Sequence, residues 1–315
     1  MNNIQEIEKE IKNLNAQLKK KYKDFFGMSR MRFKNEVLQK IGKNYKLEKL
    51  KESSLKKFGL VVGVDGSVNK VGGDFPHYVE IYQALAKPTK GQDLYENEIY
   101  TPLLGQIDEE GGGLSKREKL LAQIELQVAI DSIDFHKPDM LMMDGGLIRY
   151  KINDKDRYTE LIEKCEDRDI ILIGVLKELK TNVISRALEY ENSIFDRELL
   201  YGKLELGDFI EIHDRFNKKS GENEGELTSG FLRTSNSAMA IGIDILQSQR
   251  QYLKDAAELV YTLTPYNSRG VPLWLDIVDK EVKITDLLIK SMLEEYLDRD
   301  IYERFFITER DRRGI

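Results

Sequence analysis

Three short, nearly continuous apolar runs constrain this chain more than any other feature: FGLVVGV (58–64), DMLMMDGGL (139–147) and IILIGVLK (170–177). Runs of this length, rich in branched and long aliphatic residues and bounded by charged or turn-forming ones, predict strands buried on both faces of a sheet. A helical pattern separates the first two, over SKREKLLAQIELQVAIDSI (115–133), with Leu121, Ile124 and Val128 as its apolar stripe. Ser115 stands three residues before Glu118 as a capping box. A second helix is expected around 156–166. Strand, helix, strand, helix, strand predicts an α/β domain with at least part of its sheet parallel.

Around this centre, YVEIYQALA (78–86) alternates as a half-buried strand, and DFIEIHDRF (208–216) reads as another. Gly105 and Gly111 to Gly113 predict a loop over 105–114, and KKSGENEGELTSG (218–230) a polar one. A long helix is expected from 236 to 254, then a strand over AELVYTLTP (257–265). From RGVPLWLDIVDKEV (269–282) a C-terminal helical region runs to the charged tail RDRRGI.

The N-terminal segment differs in charge. Residues 1–57 hold 14 Lys and 2 Arg against 1 Asp and 6 Glu, a net of +9; with −6 overall, the other 258 residues carry −15. A basic arm on an acidic body is a distribution expected of nucleic-acid contact, although a solvated Lys-rich helix has the same composition. Within the arm, Ile4, Ile7, Ile11, Leu14 and Leu18 recur at three- and four-residue steps, predicting a helix over 4–23 that docks on the body or on a second copy. Arg30, Arg32, Lys34 and the Lys-rich run 40–57 continue the helical reading. The expected division is therefore a basic helical arm, 1–57, and one α/β domain, 58–315.

No segment reaches the roughly 18 apolar residues that span a bilayer, and MNNIQEIEKE is too polar for a secretory leader. Cys165 is the single cysteine, so no internal disulfide or cysteine zinc site exists. A cytoplasmic protein is the natural expectation.

Chemistry concentrates in carboxylates. Asp65-Gly66-Ser67 and Asp144-Gly145-Gly146-Leu147 each set an aspartate at the end of an apolar run, at the sheet edge where open α/β folds bind ligands. Asp-Gly also ends strands simply to turn the chain; two such motifs in one expected sheet favour a site. Glu125 borders the apolar stripe of its helix, where a carboxylate needs a partner or a cation; Glu118 competes for the role. Hard oxygen donors from separate elements select Mg²⁺ or Mn²⁺ over zinc, and two such ions suit phosphodiester hydrolysis. The histidines, His77, His136 and His213, lie apart from these motifs. Lys177, ending the third run, is a candidate to neutralise a phosphate oxygen. Asp276 and Asp279 are candidates for a last ligand, sharing a face only if their segment is helical.

VDGS (64–67), the helix bearing Glu125, MDGGL (143–147), GVLK (174–177) and RGVPLWLDI (269–277), in that order, resemble the NurA nuclease family over most of the chain after residue 58. The resemblance implies an RNase H-like mixed sheet flanked by helices and a manganese- or magnesium-dependent deoxyribonuclease. It further implies single-strand endonuclease and 5′-to-3′ exonuclease activity on single- and double-stranded DNA. Homodimers working on a hexameric HerA-type ATPase in end resection of DNA double-strand breaks are also implied. Asp65 and Asp144 match the family's core metal-binding aspartates, Glu125 its helix glutamate and Lys177 the lysine after the third strand. Two departures stand out. Ile277 occupies the place where the family has a His or Asp, with Asp276 and Asp279 beside it, and DGGL replaces DGSL. The second is mild, since the aspartate remains; the first keeps open a rival, a catalytically decayed DNA-binding adaptor of a translocase. A phosphotransferase of the actin-like ATPase fold is a second rival, but GGL is a poor second phosphate turn.

Overall fold

The computed structural model describes residues 2–105, 113–190, 194–217 and 226–307. Its N-terminal part holds helices α1 (Asn2–Lys21), α2 (Lys23–Phe26), α3 (Arg30–Phe33) and α4 (Gln39–Ile41), strand β1 (Gly42–Lys46) and helix α5 (Glu52–Leu55). Strands β2 (Val61–Gly72), β3 (Tyr78–Pro88) and β4 (Leu94–Tyr100) precede α6 (Gly113–His136), β5 (Met140–Asp144), α7 (Leu147–Asn153), α8 (Lys155–Asp167) and β6 (Ile171–Leu176). Then come α9 (Val183–Ala187), α10 (Asp196–Leu200), β7 (Asp208–Ile212), β8 (Leu227–Leu232), β9 (Ile241–Leu246) and α11 (Leu253–Leu263). Helices α12 (Leu273–Glu281), α13 (Asp286–Tyr296) and α14 (Arg299–Phe305) end the described chain.

The strands form one nine-stranded sheet in the order β1-β7-β8-β9-β6-β5-β2-β3-β4. The apolar runs built β2, β5 and β6, which pair in parallel at its centre. On one side β2, β3 and β4 form an antiparallel meander; on the other, β9 joins β6 antiparallel. The order β4-β3-β2-β5-β6, with α6 crossing between meander and parallel strands, is an RNase H-like mixed α/β sheet flanked by helices.

Both faces are covered. On one, Leu126, Ile130 and Ile133 of α6 and Tyr158 and Leu161 of α8 pack against Val62, Val64, Leu141 and Met143. On the other, Leu253, Ala256, Ala257 and Val260 of α11 cover Met142, Ile173, Val175 and Ile243. Successive residues of a strand face opposite ways, so a sheet covered on both sides needs strands apolar at every position. MLMMD is buried throughout for that reason.

Several expectations are corrected. The Lys-rich run 40–57 is not continuously helical: Gly42–Lys46 forms edge strand β1 on β7. The expected helix over 236–254 contains β9 and a 3₁₀ turn, while the expected strand over 257–265 is mostly the end of helix α11. Strand β4 was not anticipated, and part of the expected loop 218–230 belongs to β8. Helix α6 already runs at Gly113, so Ser115 lies within the helix rather than before it. Residues 106–112 and 218–225 of the two expected loops, and the RDRRGI tail, lie outside the described residues. The arm's helix forms as expected, but its seam stays open: Ile4, Ile7, Ile11, Leu14 and Leu18 are 75, 52, 60, 54 and 45% exposed. Phe33, Val37, Leu38 and Ile41, by contrast, are buried with Ile210 and Phe231 of the body.

Candidate metal centre

Strand β2 pairs with β5 only over Val61–Val64; Asp65 is the next residue, and the strand runs on beside β3. Asp65 therefore stands at the carboxyl edge of the parallel strands although its own strand continues past it. Asp144 ends β5 opposite Val175 of β6. Gly63 faces Trp274 and Val278 of α12, and Asp65, two residues on, shares that face. Helix α12 contributes Asp279 to the same place. One carboxylate oxygen from each of Asp65, Asp144 and Asp279 lies within 4.8 Å of the others.

Asp65 and Asp144 are buried, and Asp279 is partly exposed. Asp65 Oδ1 accepts the Gly66 N–H at 2.8 Å. Its Oδ2 is buried with no donor among the described residues. Burial first, then the charges of Asp144 and Glu125, push the Asp65 carboxyl up to about 9. Lys177 Nζ donates to Asp144 Oδ2 and sits 3.9 Å from Asp279. Burial works to raise Asp279, but Lys283, Lys177 and Arg269 outweigh it and hold that carboxyl below its usual range. An orphaned buried carboxylate oxygen beside two more carboxylates fits a hard divalent cation, which would supply the missing positive charge.

The other expected site residues divide. Glu125 is buried, 1% exposed, and packs on the opposite face of β2: a Cβ at Gly66 would meet its Oε1 at 2.6 Å. It pairs with Arg149 of α7 rather than joining the three aspartates. Burial raises its pKa, while Arg149 and Tyr150 pull it back. Asp276 is also on α12 but is engaged by Arg269 at 2.6 Å, which stands 3.6 Å from Asp279. His136 is bound to the Gln92 carbonyl at 2.7 Å, and no histidine joins the cluster.

Two residues the sequence reading passed over belong here. Asp244 of β9 is completely buried; it accepts the Leu147 N–H at 3.2 Å and the Ser229 hydroxyl at 2.6 Å, fixing the turn after Asp144. Its only sequence signal is an acid inside IGIDIL. Arg149 lies four residues past Gly145, in the first turns after the motif.

Acidic oxygens converge at the carboxyl edge of an RNase H-like sheet, an arrangement compatible with a divalent cation in a protein of the nuclease fold class. The model of the NurA domain matches residues 59–284, and the chain belongs to the NurA family. That membership supports a nuclease. None of the curated proteins matches the sequence. Among solved structures, the chain is similar to endonuclease V from Bacillus subtilis, at 13% identity and a TM-score of 0.43, covering 85% of this chain and 92% of that one. It is similar also to human endonuclease V, at 16% identity and a TM-score of 0.40, covering 84% and 98%. A trimeric exonuclease from Pyrococcus horikoshii matches at 10% identity and a TM-score of 0.25, covering 59% and 99%. No helix among the described residues is long and apolar enough to cross a membrane.

Proposed function

We propose that this protein is a divalent-metal-dependent deoxyribonuclease. The observation that carries the reading is the convergence of Asp65, Asp144 and Asp279, with one buried oxygen of Asp65 left without a donor. Those three side chains would hold Mn²⁺ or Mg²⁺, with Glu125 as a further acidic group on the far side of β2. When bound, the cation polarises a phosphoryl oxygen and lowers the pKa of a coordinated water. The chain's own residues set the stage for that chemistry. Asp65 would give up its proton on becoming a ligand, since burial and two neighbouring acids favour its protonated form. Lys177, between Asp144 and Asp279, carries the positive charge that a phosphate oxygen needs beside so many carboxylates. Asp244 keeps the Gly145-Gly146 turn closed, so Asp144 stays aimed at the centre.

In the finer reading, the enzyme is a 5′-to-3′ exonuclease and single-strand endonuclease, a homodimer working with a hexameric HerA-type ATPase in double-strand break end resection. Family membership supports this. So do the basic arm, available to DNA, and the open apolar seam of α1, available to a second copy. The decayed-adaptor reading rests on the C-terminal ligand, and the place of Asp279 beside Asp65 and Asp144 supports the catalytic reading over it. Incubating linear duplex and single strands, labelled at the 5′ or the 3′ end, with Mn²⁺ and with or without a HerA-type ATPase tests the proposal. Mononucleotide release from the 5′ label is expected first. Release from the 3′ label alone would reverse the polarity, and intact DNA in every lane would remove the nuclease reading.

A further inference from the structure

We propose that Arg149 is a further substrate-contacting residue, its guanidinium holding a non-bridging oxygen of a DNA backbone phosphate beside the carboxylate cluster. The proposal rests on the nuclease reading above.

Arg149 is placed by the same turn that follows Asp144. Gly145 adopts φ 131°, and the guanidinium carbon of Arg149 lies 3.7 Å from where a Cβ at that glycine would stand. The guanidinium also lies over the Tyr150 ring, 4.6 Å from its centroid. Its Nη2 donates to Glu125. Three surfaces thus fix the orientation of a side chain that would otherwise lose much rotamer freedom on binding.

What is left over points to a ligand. Glu125 is 1% exposed, yet its partner's side chain is 39% exposed, so the pair opens to solvent on the arginine's side only. An arginine has five N–H donors; Glu125 takes one from Nη2 and Tyr150 engages the side chain as well, so the exposed part of the guanidinium still has donors to offer. Neutralising Glu125 needs one positive charge and no planar fork, and a lysine would serve. A fork with spare donors, held rigid at the rim of an anionic centre, suits two oxygens of a phosphate.

Charge supports the same assignment. Asp65, Asp144 and Asp279 crowd together with Glu125 across β2 from them, and a polyanion must approach this negative charge. Lys177, just past the end of β6, pairs with Asp144, and Arg149 lies over Gly145 from α7. A backbone phosphate reaching Asp144 would meet a cation on either hand, with Arg149 as the one that can bind it bidentately.

The test is a double cycle between protein and DNA. Binding of a 5′-labelled single strand would be measured with Ca²⁺ in place of the catalytic cation, for wild type and Arg149→Met. A neutral methylphosphonate would replace each linkage in turn. At one linkage the replacement should weaken wild-type binding roughly ten- to hundredfold. It should cost Arg149→Met nothing further, and the variant's salt slope should fall by about 0.7. Losses that multiply at every linkage would overturn the proposal and leave Arg149 as the counter-ion of Glu125 alone. Should the methionine variant not melt cooperatively, the neutral Arg149→Gln replaces it in the cycle, with the same linkage expected to become indifferent. A folded wild type that binds no DNA would remove the nuclease reading along with this contact.

Discussion

Asp65 on β2 and Asp279 on α12, from opposite ends of the α/β domain, bring carboxylate oxygens within 4.8 Å of each other, with Asp144 as the third corner. Asp276, one helical turn earlier, turns instead to Arg269. Asp279→Asn should therefore reduce cleavage at least roughly 100-fold, beyond the ~10–100-fold usual for outer-shell changes. Asp276→Asn should cost less than about tenfold. Single-turnover rates at saturating Mn²⁺ check the contrast; equal losses would move the ligand assignment to the pair.

Asp65 predicts an unusual pH dependence. Its folded-state pKa, up at about 9, lies above the usual 3.8. The folded state therefore keeps a proton that the unfolded chain releases, and this contribution to stability is complete below about 4 and lost as pH rises through about 9. In EDTA, the melting temperature should fall between pH 5 and 9, and Asp65→Asn should flatten the fall. Adding Mn²⁺ near pH 7 should release about one proton per site, readable by calorimetry in buffers of different ionisation enthalpy. A variant with the wild-type pH profile would show that another group is responsible.

Gly66 is the spacer between the two acidic faces of β2. A methyl group there would meet Glu125 Oε1 at 2.6 Å and Leu121 Cδ1 at 2.8 Å. Gly66→Ala should cost about 1–3 kcal/mol in chemical denaturation, as overpacking does, and should lower activity by pushing Glu125 away from Arg149. Unchanged stability would mean that α6 yields freely.

The open seam of α1 bears on assembly. Ile11, 60% exposed, makes no core contact, so Ile11→Glu should change the stability of the isolated chain by less than about 0.5 kcal/mol. If α1 joins two copies, the same change should shift the sedimentation profile from dimer to monomer. A dimer that persists would place the interface elsewhere.

The sequence made the centre of the sheet legible because buried parallel strands must be apolar at every position, and 58–64, 139–147 and 170–177 have no other use. The β9–α11 region misled for a related reason. Ile241 and Ile245 are four apart and imitate a helical stripe, but all six residues of IGIDIL are buried in the sheet. Val260, Tyr261 and Thr262 favour strands by their branching and rings, yet Leu253, Ala256, Ala257 and Val260 form the buried stripe of a helix. Strand β1, GKNYK, is a polar edge strand with no pattern to betray it. Within the site, Asp-Gly after an apolar run marked Asp65 and Asp144. Asp276 and Asp279 are not separable in the sequence, since one helix carries both and only the approach of Asp279 to Asp65 and Asp144 divides them. Arg149 and Asp244 act through contacts made across the turn after Asp144, which no local pattern records.

In the proposed function, these carboxylates form a cation-dependent centre for DNA cleavage. The most direct measurement is single-turnover cleavage of end-labelled DNA by wild type, Asp65→Asn and Asp144→Asn, each in Mn²⁺, Mg²⁺ and EDTA. Cutting by wild type is expected in Mn²⁺ or Mg²⁺ and not in EDTA, with a loss of roughly 100-fold or more in both folded variants. Cutting that survives EDTA, or that either variant retains in full, would contradict that function.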